Sequence, residues 1–222
     1  MNYSISEENY IKAIYRLQST REPVSTNALA VELDTKPASI TDMLKRLKVK
    51  KLVIYYPYQG CRLSAEGTRL ALGIVRRHRL WEYFLAEKLK FNWNEVHDIA
   101  EELEHVSNGQ LIERLDAFLG FPRFDPHGDP IPDSSGKIAT PSQVKLTTLG
   151  AHTKAKVSGL ADQSQDMLNL LQQRNITIGT IVEINKKFGF DHSLEIKIPG
   201  NPPFIMSEQP AQNILVHHEL EA

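Results

Sequence analysis

A chain of 222 residues with 41% apolar and 24% charged residues has the composition of a globular protein. It is long enough for two or three modules with separate cores. Its N-terminus, MNYSISEENYIKAIYRL, mixes charges into a helical pattern unlike a signal peptide, and no apolar run approaches the roughly 20 residues that span a bilayer, so a cytoplasmic location without membrane contact is expected. The single cysteine, Cys61, excludes an internal disulfide and any multi-cysteine zinc or iron–sulfur site, which leaves His, Asp and Glu as the main ligands for any bound metal.

The net charge of −1 hides a segregation along the chain. Between Lys36 and Arg62 seven basic residues stand against Asp42 alone, and between Trp93 and Leu119 seven acidic residues stand against Arg114 alone. The first segment suits a polyanion and the second suits cations.

In chain order, Tyr10, Ile11, Ile14, Tyr15 and Leu17 recur at helical spacing and predict a first helix over about Glu7 to Gln18, with Ser6 and Asn9 as a weak start signal. After a break at TREPV, STNALAVEL predicts a short helix capped by Ser25 or Thr26. DTKPASITDMLKRLKVKKLV then puts Pro37 at the first position of a basic helix, where its missing N–H costs nothing. The runs LVIYY and CRLS around Pro-Tyr-Gln-Gly predict a hairpin wing. Two short helices, the second basic, followed by a wing make a winged helix-turn-helix. Its second helix enters the major groove of double-stranded DNA. That brings Lys36, Pro37, Ala38, Ser39, Thr41 and Asp42 nearest base edges, with Lys45, Arg46, Lys48 and Lys51 suited to phosphates and Thr26 on the supporting helix. The alternative is a merely solvated helix face, against which the wing and the missing acidic balance both argue.

A long helix is predicted from about Ala65 to Leu89, capped by Ser64, with Leu70, Ile74, Leu80, Phe84 and Leu85 as its buried stripe. On it His78 and Glu82 stand four apart, over one spot. In EVHDIAEELEH, a helix places His97, Glu101, Glu104 and His105 at about 0, 40, −20 and 80°. They share one face beside the apolar arc of Trp93, Val96, Ile99, Ala100 and Leu103. Clustered carboxylates repel one another unless a cation neutralises them. Mixed imidazole and carboxylate donors suit a divalent first-row ion, while a charged surface helix with incidental histidines is the plain alternative. The chain has no HExxH, so a zinc protease is not indicated.

The order of these elements, with RRHRLWE, VHDIAEELEH and ERLDAFLGFPRFDPHGDPIP, resembles the diphtheria toxin repressor family of metal-dependent transcriptional regulators over nearly the whole chain. YIKAIYRL and KPASITDMLKRL look like its manganese-type branch, and the segment after GFPRFDPHGDPIP looks like the third domain of its longer members. The resemblance implies two neighbouring metal sites. His78, Glu82 and His97 match the ligands of one, completed by the C-terminal domain or by the segment holding His127. Glu101, Glu104 and His105 match the other, to which the family adds residues from the first helix. There the sequence departs: Asn9 replaces an aspartate and Lys12 replaces a glutamate. Glu101 stands where iron-responsive members carry a cysteine, which modestly favours Mn²⁺ over Fe²⁺.

FPRFDPHGDPIPDSSGKI reads as a linker kept irregular by Pro122, Pro126, Pro130 and Pro132. Asp125 and His127 within it can chelate, or belong to an ordinary surface loop. Longer family members place a ligand pair here, with Asp125 standing for a cysteine. Six short strand patterns and one helix, QSQDMLNLLQQR, follow and predict a small SH3-like barrel. On the first turn of that helix Gln163 and Asp166 match the pair that reaches the first site in related proteins, with Asp166 the stronger choice. His217 and His218 read as a strand end.

The expected fold class is therefore mainly α with β, divided into a winged helix-turn-helix at 1–72, a helical dimerisation and metal-binding domain with a Pro-rich linker at 73–137, and an SH3-like domain at 142–222. The expected function is non-enzymatic. It is repression of metal-uptake genes by a homodimer that binds a palindromic operator when loaded with Mn²⁺ or Fe²⁺ at two sites per subunit. The alternatives are a dinuclear metal-dependent hydrolase and a metal-independent winged-helix regulator.

Overall fold

The structure, a computed structural model, describes residues 3–18, 22–106, 108–140 and 142–218. The chain divides into two compact units. The first comprises residues 1–78, 102–113 and 132–137, and the second comprises 79–101, 114–131 and 138–222.

In the first unit α1 (Ile5–Leu17), α2 (Thr26–Glu32) and α3 (Pro37–Val49) precede a hairpin of β1 (Val53–Tyr56) and β2 (Gly60–Leu63). The first helix starts two residues earlier than its sequence suggests. Ser4, not Ser6, is the cap, because Glu7 returns its side chain to the Ser4 N–H and closes a capping box, which Asn9 cannot do from the next turn. Ser25 caps α2 and Pro37 opens α3, as expected. Of the break expected at 20–24, residues 20 and 21 lie outside the described residues.

The antiparallel hairpin pairs Val53 with Leu63 and Tyr56 with Gly60. It gains a third partner the sequence did not show: Val24 and Cys61 exchange both backbone hydrogen bonds. Gly60 is required at that approach, since its φ is +116° and a Cβ there would sit 2.0 Å from the Val24 carbonyl oxygen. One apolar core, built from Ile11, Ile14, Leu29, Ile40, Leu44, Leu47, Leu52 and Ile74 among others, fixes these elements together.

The helices α4 (Ala65–Glu87), α5 (Val96–Val106) and α6 (Gly109–Leu119) each contribute residues to both units. The Ser64 hydroxyl accepts from the Gly67 N–H at 3.0 Å and caps α4. The second unit also holds β3 (Val144–Lys145), β4 (Thr153–Leu160), α7 (Gln165–Gln173), β5 (Ile181–Lys187), β6 (Leu194–Lys197), β7 (Phe204–Met206), α8 (Glu208–Ala211) and β8 (Ile214–His218). Its strands form a six-stranded antiparallel sheet in the order β3-β8-β4-β5-β6-β7. Alternating residues of that sheet and the apolar face of α7 enclose a second core, with Trp93 packed against it. The one-turn α8 and the 3₁₀ turn at Leu146–Thr148 are additions to the six strands and one helix that the sequence pattern predicts. No helix among the described residues is long and apolar enough to cross a membrane.

Candidate metal centres and DNA-facing helix

In the second unit, α4 supplies Glu82 and the irregular loop supplies Asp125 and His127. One ligand atom from each lies within 4.8 Å of the others. All three are buried, at 2%, 5% and 1% exposure, so this loop is not the surface loop that composition alone would allow. Its irregular course is held by Asp125 itself. One carboxylate oxygen accepts from the His127 N–H at 2.8 Å and from the Asp129 N–H at 2.9 Å. Gly128, at φ +86°, lets the loop lie against β4, where a Cβ would meet the Ser158 carbonyl oxygen at 2.1 Å.

The tautomer of His127 follows from its partner. Nε2 lies 2.8 Å from the Trp93 carbonyl oxygen, and a carbonyl only accepts, so Nε2 carries the proton. The ring is stacked on Trp93 at 5.9 Å, and its Nδ1 has no hydrogen-bond partner and lies 3.9 Å from Glu82 Oε1. A buried, unpartnered ring nitrogen beside a buried carboxylate is costly unless it finds a partner, and a cation would serve both.

Burial, reinforced by Glu82 and Asp129, pushes the Asp125 carboxyl well above its ordinary range, an effect opposed by Arg79. Arg79 lies 3.4 Å from Asp125 Oδ2 and 2.9 Å from Asp129 Oδ2, and donates to the Pro130 carbonyl at 2.7 Å. With every carboxyl ionised, Glu82, Asp125 and Asp129 carry three negative charges against one on Arg79. The difference of two is that of a divalent cation. His97 is placed at the rim, its side chain 46% exposed and its Nδ1 3.2 Å from Glu82 Oε1.

Of the two C-terminal residues, Gln163 is the one that reaches this loop, donating to Asp129 Oδ2 at 3.2 Å. The sequence pattern places both on the first turn of the helix and prefers Asp166. In the structure Ser164 is the N-cap, which leaves Gln163 before α7 and Asp166 exposed on its first turn. His217 Nδ1 lies 2.6 Å from the Ser142 carbonyl, and the His218 side chain lies outside the described residues.

In the first unit a second cluster forms around Glu104, which is fully buried. His78 Nδ1 and the Lys12 ammonium lie 2.7 and 2.8 Å from Glu104 Oε2. His105 Nδ1 is 2.8 Å from Glu8 Oε2, and the other Glu8 oxygen accepts from Arg77 at 2.9 Å. An ionised Glu8 only accepts, so His105 donates from Nδ1. Its Nε2 lies 3.5 Å from Glu104 Oε1. Those two atoms and Asn9 Oδ1 are buried without hydrogen-bond partners. On α5 itself, Glu101, Glu104 and His105 each offer a ligand atom within 4.8 Å of the others, as their helical spacing requires.

Glu8, Arg77 and Arg79 were not visible as site residues in the sequence. Glu8 and Arg77 adjoin Asn9 and His78 in the chain, but nothing local marks which neighbour of a ligand orients it.

On α3, Lys36, Pro37, Ala38, Ser39, Asp42, Lys45, Arg46 and Lys48 are exposed, while Thr41 and, on α2, Thr26 are half-buried. The opposite stripe, Ile40, Leu44 and Leu47, is fully buried. Thr41 donates to the Pro37 carbonyl at 3.1 Å, and Lys50 is drawn away to Glu7 at 2.6 Å.

Three family models match successive parts of the chain: the N-terminal DNA-binding domain of the iron-dependent repressor over residues 3–61, its metal-binding and dimerisation domain over 64–133, and the FeoA domain over 144–218. An HTH-type transcriptional regulator of Methanocaldococcus jannaschii is 33% identical over 52% of this chain and 94% of its own length. The iron-dependent repressor IdeR of Mycobacterium bovis is 30% identical over 96% of this chain and 93% of its own. A solved manganese-dependent transcriptional repressor in complex with manganese is 32% identical and superposes with a TM-score of 0.83, covering 96% of this chain and 99% of that one. The chain belongs to the diphtheria toxin repressor family of metal-dependent transcriptional repressors, with a C-terminal FeoA-type domain.

Proposed function

We propose that this protein represses metal-uptake genes by binding a palindromic operator as a homodimer when it holds Mn²⁺, with Fe²⁺ as the competing ion. Residues 1–72 read DNA, 73–137 hold metal and the dimer contact, and 142–222 support the metal-binding loop. The observation that carries the reading is His127 Nδ1, buried and without a hydrogen-bond partner beside Glu82 and Asp125.

Glu82, Asp125 and His127, with His97 at the rim, would hold one ion. Glu101, Glu104 and His105, with the Asn9 carbonyl oxygen, would hold another, and His78 steadies Glu104 in that set. Gln163 supports the Asp129 side of the loop, and Asp166 has no assigned part. The donors are oxygen and imidazole throughout, which suits Mn²⁺ better than a thiophilic ion. Cys61 is no rival ligand, since it is buried within the wing strand β2 and its thiol is pushed up to about 12.

A bound divalent ion supplies positive charge that lets these buried carboxylates stay ionised together. The residues do the rest: Trp93 and Glu8 hold the two imidazoles in the required tautomer, and Arg79 holds the loop. On α3, Ser39 and Thr41 address base edges and Lys45, Arg46 and Lys48 address phosphates. The acceptors of a dinuclear hydrolase are present, but a nucleophile or general base outside the ligand sets was not found among the described residues. A regulator that meets chromosomal DNA works in the cytoplasm.

The test is selection of duplexes from a random pool by the protein in Mn²⁺, followed by fluorescence polarisation on the selected duplex. Affinity should rise about 10-fold or more from chelator to Mn²⁺, within the usual range of coupling between two sites. Equal affinity in both conditions would defeat the proposal.

A further inference from the structure

Lys12 occupies a place where a metal repressor has use for a cation. Its ammonium lies 2.8 Å from Glu104 Oε2 and 3.2 Å from His78 Nδ1, and His78 Nδ1 is itself 2.7 Å from the same oxygen. Three atoms from α1, α4 and α5 thus converge, and the positive one among them belongs to the chain. Lys12 is 5% exposed and Glu104 is not exposed at all. A lysine is rarely buried to this degree unless its charge is matched, and matched burial of this kind fixes geometry more than it adds stability.

The count of charges points the same way. Among the side chains of this cluster Glu8, Glu101 and Glu104 face Lys12 and Arg77, a formal excess of one negative charge, whereas Glu82, Asp125 and Asp129 are left with an excess of two over Arg79. One edge of Glu104 is still open, because Oε1 and the facing His105 Nε2 have no hydrogen-bond partner.

We propose that Lys12 is a resident cation: it holds Glu104 Oε2 and His78 in place of a divalent ion, ties α1 to α5 without metal, and lowers by one the number of ions this cluster takes. The inference rests on the reading that the clusters bind divalent metal. It assigns the metal response chiefly to the group of Glu82, Asp125 and His127, where Arg79 offsets only one of three carboxylates.

Lys12→Glu replaces the ammonium with a ligand. After equilibrium dialysis of the whole 222-residue chain against Mn²⁺, metal analysis should find one more ion per subunit in this variant than in the wild type. A folded Lys12→Glu protein, judged by circular dichroism, that binds the wild-type number of ions overturns the proposal. Lys12→Gln gives a second measurement that does not depend on the first variant folding. Its melting temperature in chelator should fall by roughly 5–10 °C, as for a buried pair that loses one partner. Mn²⁺ should then raise that temperature by more than it raises the wild type's, because the ion takes over the vacated position. An equal rise in both proteins would mean that Lys12 is only a structural partner of Glu104. Neither readout involves DNA, so a failure of metal-stimulated operator binding defeats the proposed function and leaves this comparison intact.

Discussion

The cluster around Glu104 in the first unit and the cluster around Glu82 in the second use the same device on unequal charge terms. In each a histidine donates from one ring nitrogen to a fixed acceptor, Glu8 for His105 and the Trp93 carbonyl for His127, and aims the other nitrogen at a buried carboxylate. The first cluster contains its own ammonium, which, with Glu101 counted, cuts its formal excess to one negative charge. The second leaves a formal excess of two negative charges, two of its three carboxylates being buried, and burial keeps Asp125 well above its ordinary range. The difference teaches that ligand-type residues alone do not make a metal sensor. On the proposed function, the sensing cluster is the one left with the larger unbalanced charge.

That contrast is broken most directly by removing the second cluster. Asp125→Ala combined with His127→Ala should abolish most of the Mn²⁺ stimulation of DNA binding, a loss of about 10-fold or more in affinity at saturating metal, with the circular dichroism spectrum unchanged. Fluorescence polarisation in chelator and in Mn²⁺ measures it. If the double variant keeps the full response, the Glu104 cluster carries the switch and the contrast is drawn the wrong way round. A subtler break is Gly128→Ala, which alters no ligand side chain. Its Cβ would press on the Ser158 carbonyl at 2.1 Å from a backbone at φ +86°, so the loop must shift and carry His127 with it. The expected result is about 10-fold weaker Mn²⁺ binding by calorimetry, of the order seen when groups that orient a ligand are lost. Lys12→Glu should show no such weakening.

The parts of this architecture that were legible in the sequence are those with a local rule. Pro37 opens α3 and Ser25 caps α2 because capping chemistry acts within one turn, and the wing reads from two β-rich runs around a Gly turn. His105 and Glu104 share a face by helical period alone. What escaped was set at long range or by a near tie. Ser4 and Ser6 both offer a start to α1, and the choice depends on Glu7 rather than Asn9 reaching back. The Lys12–Glu104 pair spans 92 positions and the Arg79–Asp129 pair spans 50, and no periodicity reports such meetings. The sequence pattern puts Gln163 on the helix, but Ser164 takes the N-cap role and moves the start of α7 past it.

Charge balance in the first unit extends to Glu7, and this gives the smallest effect. The Glu7 carboxylate lies 2.6 Å from Lys50 and accepts from the Ser4 N–H, and these contacts, the Lys50 hydrogen bond foremost, hold its pKa below the ordinary 4.5 against the opposing effect of burial. A group whose folded pKa is depressed contributes stability that is fully present above its unfolded value and is lost as pH falls through the folded one. Glu7→Gln should therefore cost about 1 kcal/mol or less near neutral pH, since the Lys50 side chain is 39% exposed and water screens the pair. The gap between variant and wild type, measured by urea denaturation, should hold steady from pH 7 to about pH 5 and then close as the solution is acidified below 4.5. A gap that persists at low pH would show that Glu7 acts through packing or the neutral capping bond instead of its charge. In that case the pairwise balance seen around Lys12 would not extend along α1 to its first turn.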